Sequence, residues 1–501
     1  MQENSHEIKT SSHKGRSYLS DVELGMKAGL PKNKVEDVAN IEIPTDVPVS
    51  LPYPTSFSMV DPYIPLPLQN LTDTDFSTDT PICTTDDDPD TLSEEISVRS
   101  SPSLEMAYHN RRSPALISDS VSSVDADALW EFYITSTARF CAVHMLPTPF
   151  VSSLVPMAIS HPFLMSSLLH LSYIHQLKVF SFPEDNNARN ELIISSLTGL
   201  RDALYDSTLS DSPAGLAKMS ASLALATSYV VQNNLPLVEM HCVGATNVLR
   251  VIVSNLNGHR PSSELWFLTK WLTYTISLVT AGLLRDFTPS QPVIEGLDFL
   301  LSFWTTHWVE DPEANDAIDL FYGFSSHLTI VIIQILRCRF KRPSNDDLNA
   351  LELALWKRQV ENHYKRETSI LKQKERYLVH CDEAFHAAAM LYFYIFLRPE
   401  KLESESEMLV STIQMQVDMI DPNSRTAAAL PFVMLMGSAC AREDQYEYFV
   451  SRIKDIEMVC MTNIHPLLKV VSHIWSLRAQ GFSVPDTFKA LPDNLAYISL
   501  Y

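Results

Sequence analysis

Glycine is scarce in this 501-residue chain: it supplies 12 residues, roughly a third of the usual share. That leaves little material for phosphate-cradling loops or tight hairpin turns, and it favours a helical body. Paired cysteines are missing as well. Cys83, Cys141, Cys242, Cys338, Cys381, Cys440 and Cys460 stand singly. A structural zinc site needs ligands at short repeated spacings and a disulfide framework needs a small secreted chain, so these thiols read as small buried hydrophobes in a reducing compartment. Positive charge is in deficit: 38 Lys and Arg against 60 Asp and Glu give a net charge of −22 and a pI near 5.1. Phosphate contacts need clustered cations, so a broad nucleic-acid-binding surface is excluded. The opening MQENSHEIKTSSHKGRSYLS has no apolar signal core, and secretion is not indicated. The nearest approach to a membrane span is 320–336. It carries His327 and Gln334, is interrupted by Gly323, Ser325 and Ser326, and reads as a buried core helix.

What is present divides near residue 125. Residues 1–124 show neither helical nor strand periodicity and are rich in Ser, Thr, Pro and Asp. Between 41 and 100 stand twelve acidic residues, one basic residue (Arg99) and nine prolines. Such a segment cannot bury enough apolar surface to offset its ordering entropy and is expected to be disordered. Tyr53, Phe57, Met59, Tyr63, Ile64, Leu66, Leu68 and Phe76 are interleaved among the acids, the pattern of an activation segment; a plain solvated linker is the alternative. Ser101-Pro102 and Ser113-Pro114 are candidate proline-directed phosphorylation sites.

From Ala126 the pattern becomes helical. Trp130, Phe132, Tyr133, Phe140 and Val143 recur at helical spacing, and Pro162 opens a helix with Leu164, Leu168 and Leu171 on one face. Further periodic segments fall at about 190–205, 215–232, 236–256, 263–284, 317–340, 346–379, 381–397, 405–420, 426–440, 443–460 and 464–479. Short breaks separate them, so the expected fold is an all-α, irregular array of packed helices over 125–501, compatible with stacked helix pairs.

One phrase in this body stands out, MHCVGATNVLRVI at 240–252. A glycine inside a helix costs roughly 1 kcal/mol relative to alanine, so Gly244 is expected to press closely against a neighbour, and Gly244→Leu to overpack that contact. The phrase also resembles the "His, apolar, any, Gly-Ala" string of the fungal-specific transcription factor domain, the regulatory region that usually follows a zinc-cluster DNA-binding domain. HPFLMSSLLHLSYIHQ at 161–176, YGFSSHLTIVIIQI at 322–335, AFHAAAMLYFYIFL at 384–397, LPFVMLMGSACAREDQYEYFVSRI at 430–453 and Ile474-Trp475 are similar to further phrases of the family in the expected order. Leu430 stands where the family tends to have Trp. Members usually begin with six cysteines that bind two zinc ions, whereas here only Cys83 lies within the first 140 residues. The resemblance implies a nuclear transcription regulator of metabolic or secondary-metabolite genes. It would act through its helical domain, with other regulators or co-activators as partners, DNA contacted indirectly, and a small-molecule effector held between helices. A helical scaffold without a DNA role is the alternative.

No catalytic, cofactor or metal site is assigned. Asp86-Asp87-Asp88-Pro89-Asp90 imitates a magnesium-binding string, but Pro89 would break the helix such chemistry needs, and Asn345-Asp346-Asp347 lacks the residues that complete a second one. His170 and His175 are five apart, not the four of a helical metal pair, and His241 beside Cys242 has no second ligand nearby in sequence. Gly323 to His327 lacks the closing glycine of a nucleophile elbow. Lys357, Arg358, Lys365, Arg366, Lys372, Lys374 and Arg376 alternate with Glu361, Glu367 and Glu375, which reads as a solvated helix face. Arg337, Arg339, Lys341 and Arg342 fit either a nuclear import signal or cations at a helix C-terminus.

Fused to an unrelated DNA-binding domain, residues 41–100 should raise reporter transcription, and replacing Tyr53, Phe57, Tyr63 and Phe76 with Ala should lower it. An inactive parent fusion leaves the linker reading.

Overall fold

The computed structural model describes residues 125–142, 148–180, 186–205, 212–285, 287–307, 318–319, 321–341, 343–368, 376–457, 459–460 and 464–500. The acidic segment and its phosphorylation motifs, Cys83, Val143 and the 86–90 string lie outside them. The described residues form an all-α array. Their only strand-like pairings are isolated bridges at Leu283–Tyr497 and Ile318–Ser325.

Helix α1 (Ala126–Phe132) starts on Asp125, whose carboxylate accepts from Ala128 N, and runs on through a wide turn at Tyr133–Thr137 to Phe140. Trp130 and Tyr133 are fully buried and stacked. Two short helices, α2 (Pro149–Ser152) and α3 (Leu154–Ser160), lead to α4 (Pro162–Phe180). The sequence suggests a one-sided helix here, yet every residue of α4 from Phe163 to His175 is buried. Its serines help make this possible: Ser167 Oγ donates to Phe163 O and Ser172 Oγ to Leu129 O, so these hydroxyls are satisfied inside the core.

α4 packs on α5 (Asn186–Tyr205) and α6 (Ser212–Val231), and α6 packs most extensively on α7 (Leu235–Ser254). α6 is a run of Ala, Gly and Ser, small enough for neighbouring helices to approach. At its start a β-carbon on Gly215 would meet Ile252 at 3.1 Å. α8 (Ser263–Ala281) contacts α6, α7 and the following helices and is buried from Leu265 to Ala281. Thr269, Thr273, Thr275 and Thr280 each donate back to a carbonyl four residues earlier, which is how a helix with so many hydroxyls sits in a core. Trp271 Nε1 donates to Thr227 and Trp304 Nε1 to Thr273, pinning α8 to both sides.

α9 (Gln291–His307) is absent from the sequence-based segments. Pro292 reads there as part of a break, whereas it occupies the first turn of a helix burying Val293, Leu297, Leu300 and Trp304 at helical spacing. The remainder comprises α10 (Ser326–Phe340), α11 (Asn345–Thr368), α12 (Arg376–Leu397), α13 (Pro399–Asp418), α14 (Pro431–Cys440), α15 (Tyr446–Asp455), α16 (Ile464–Ala479) and α17 (Val484–Lys489). The helix expected from 317 begins nine residues later, because 318–325 close into a turn with Gly323 at φ +82°. That turn also ends the apolar run at 320–336. The described helices long and apolar enough to span a membrane are instead the stretch Pro213–Val231 of α6, mostly buried, and α7, buried over less than half its length.

An extended C-terminal strap locks the array. Leu284 N donates to Ala496 O, Ile498 N to Gly282 O and Ser499 N to Asn233 Oδ1, joining the end of the chain to the α6–α7 turn and the end of α8.

Glycine space overturns one expectation. A β-carbon on Gly244 would meet nothing closer than Ser222 Oγ at 3.9 Å, so the fold does not press a neighbour against it. The tight positions include Gly282, where the added carbon would lie 2.0 Å from Ile498 O, Gly437, where it would lie 2.8 Å from the Phe449 ring, and Gly199, where it would lie 2.8 Å from Phe163 Cβ. Gly282→Ala should therefore destabilise the protein by about 1–3 kcal/mol, while Gly244→Ala should stabilise it by up to about 1 kcal/mol. Thermal unfolding of the two variants separates them by the sign of the shift.

Candidate functional site

Two buried polar constellations interrupt the apolar interior. The first centres on Lys270, in the middle of α8, whose ammonium lies 2.7 Å from the carboxylate of Asp319, the side chains being 7% and 1% exposed. Asp319 in turn organises the turn before α10: its Oδ1 accepts from Phe321 N at 2.8 Å, its amide donates to Phe324 O, and its carbonyl accepts from Gly323 N. Ser325 N donates to Asp382 Oδ1 of α12 at 2.8 Å, so a carboxylate from another helix satisfies the start of α10. Aromatic rings on the same elements pack on one another. Phe150 meets Phe267, Trp271 and Phe321, Tyr274 stacks on Tyr322, Tyr322 on Phe324, Phe324 on Phe385, and Phe385 on Phe432. The Gly323–His327 phrase is thus a helix start held by buried carboxylates.

The second constellation joins four helices. His170 of α4 is fully buried and lies 6.2 Å, ring to ring, from Tyr229 of α6; His241 of α7 stacks on the same tyrosine at 5.5 Å and 11°. Arg189 of α5 donates to Gln232 Oε1, just past the end of α6, at 2.7 Å. Burial pushes the His170 imidazole down to about 3, helped by the charges of Arg189 and His241, and burial alone takes His241 down to about 4. Both are neutral at pH 7. Among the described residues neither ring nitrogen of His170 has a hydrogen-bond partner, nor has Nε2 of His241. A buried polar atom left unpaired costs about 1–3 kcal/mol, which makes this cluster an energetically expensive part of the interior. Sequence reasoning missed it because residues 71 positions apart meet only through helix packing. The signal was a histidine inside each of two apolar helices.

The other residues weighed from sequence have structural roles. His175 bonds Thr137 Oγ1 at 3.0 Å between Phe132 and Phe140, and burial pushes it down to about 4. Burial pushes the thiols of Cys141, Cys242, Cys440 and Cys460 up to about 12, so they are inert. Asp347 caps α11 reciprocally with Ser344. Arg337 and Lys341 both bind Asp298, while Arg339 lies 3.8 Å over the Phe396 ring and donates to Arg285 O. These cations bind the fold, which favours the helix-terminal reading over an extended import signal; Arg342 lies outside the described residues. Lys357 is exposed on α11, and the side chains of 358–376 are not described. Trp475 of the Ile474-Trp475 pair donates to Ser438 O and stacks on Tyr446, closing the end of α14. Among the described residues no group of three His, Cys, Asp or Glu is placed to hold a metal ion.

The model of the fungal specific transcription factor domain matches residues 128–488, from within α1 to within α17. No curated protein and no solved structure matches the chain.

The depressed histidines set a pH dependence. Above the ordinary value of 6.5 His170, His175 and His241 are neutral whether folded or unfolded, and they add nothing. Below 6.5 only the unfolded chain takes up their protons, so stability should fall steadily as pH drops from 6.5 towards 4. Chemical denaturation across that range should show a steep decline for the native chain and a shallower one for His170→Leu.

Proposed function

The chain belongs to the fungal specific transcription factor domain family, and from that premise we propose that it is a nuclear regulator of metabolic or secondary-metabolite genes. The family domain is a non-catalytic regulatory module, so its work is to hold or change a state that partners read. The observation that carries the proposal is the extent of the match, which spans the helical body from α1 to α17.

The charge of −22 and the lone cysteine among the first 140 residues support contact with DNA through a partner regulator. The acidic 41–100 segment supplies the contact with co-activators, and 125–501 acts as the regulatory domain. We place the small-molecule effector at the His170–Tyr229–His241 cluster, where residues of α4, α6 and α7 meet.

The purified 501-residue chain should show no sequence-specific affinity for duplex DNA at physiological salt, whereas in cells a tagged copy should occupy discrete chromatin sites beside genes whose transcripts change on its deletion. Specific binding at about 10 nM by the chain alone would overturn the indirect mode. Absence from chromatin would leave a scaffold protein.

A further inference from the structure

Methionine in this fold belongs largely to the interior: Met165, Met219, Met390, Met434 and Met436 are all buried. α13 departs from that. Met408, Met415 and Met419 are 44%, 59% and 55% exposed, and with Thr412 they follow the four-three-four spacing of a seam between paired helices. At about 100° per residue the three methionines fall within about 40° of one another along about 16 Å of helix, clear of the side that buries Leu402, Leu409, Ile413 and Val417. The surroundings are acidic. Residues 399–421 carry Glu400, Glu403, Glu405, Glu407, Asp418 and Asp421 against Lys401, whose ammonium is taken up by Glu352 of α11 at 2.7 Å. Glu400, Glu407 and Asp418 line one flank of the methionine stripe, and Glu405 stands on the other. On the first flank Arg398, Arg442 and Arg452 face five carboxylates, those of Glu400, Glu407, Asp418, Asp444 and Asp455, so ion pairing within the fold leaves it negative.

We propose that this face of α13 is the docking site of a basic amphipathic helix from a partner protein. Methionine is unbranched and polarisable, so a stripe of three exposed thioethers fits apolar anchors of varied shape. A helix that carries large apolar residues at the same three- and four-residue spacing lays them along the stripe, and lysines or arginines beside them meet the carboxylates of the flanks. Charge selects the occupant. A second copy would set acids against acids, and the 41–100 segment would bring twelve more acidic residues with Arg99 as its one cation.

The probe is a helical peptide of leucine and lysine with leucines along one face, titrated into the full chain. It should bind, a leucine–glutamate counterpart should not, and Met415→Lys and Met419→Lys should each weaken binding by about tenfold or more. Thermal unfolding should be unchanged in both variants, because these side chains are exposed. Met240→Lys serves as the control: Met240 is 52% exposed but is the lone methionine of α7, and its variant should bind as the native chain does. Absence of binding up to about 100 µM overturns the proposal. So does a leucine–glutamate peptide that binds as well, or binding that Met415→Lys and Met419→Lys leave intact, which would put the peptide on the acidic 41–100 segment instead. Self-association of the native chain that Met415→Lys abolishes would give the face to a second copy and overturn it too.

Discussion

The array turns on the ion pair between Lys270 and Asp319. Neither charge reaches water, so each would carry a desolvation cost of several kcal/mol if the other were displaced. A chain that must bring these two together has one way to place the 318–325 turn against α8. With the turn fixed, Ser325 reaches Asp382 and α10 is set against α12. The rings from Phe150 to Phe432 then pack on one another, linking helices from both ends of the chain. Buried pairs of this kind add little net stability. What holds the Lys270–Asp319 pair in place is that removing either partner would leave the other charge buried and uncompensated.

A second constraint follows from the scarcity of glycine. Helices buried on every side need small or self-satisfied surfaces, and this chain supplies them with alanine and with Ser and Thr that bond their own backbone. The few glycines in tight places are therefore costly to alter, above all Gly282 under the C-terminal strap and Gly437 under Phe449. Gly244 differs in kind. An added β-carbon there meets only Ser222 Oγ, at 3.9 Å, so this position tolerates a side-chain atom that the others do not.

The regulatory reading and the geometry meet at α7. Its buried face carries His241 stacked on Tyr229, the ring that also neighbours His170.

How much was legible in the sequence depended on the range of the interactions involved. Periodicity placed most of the helices near their observed positions, because an apolar stripe is a local property of consecutive residues, and composition alone indicated an all-α body and marked the acidic segment as different in kind. Pro292 misled because a proline looks the same whether it ends a loop or opens a helix, and only the buried Val293, Leu297, Leu300 and Trp304 distinguish the two. The phrases of the family resemblance were readable as strings, but their roles were not: Gly323 to Ser325 form a turn seated on a buried carboxylate, and Trp475 closes a helix end. The His170–Tyr229–His241 cluster, the Lys270–Asp319 pair and the space beside Gly244 were decided by tertiary structure alone. Each depends on residues dozens of positions apart, whose distances are fixed by how helices pack and not by the order in which the chain supplies them.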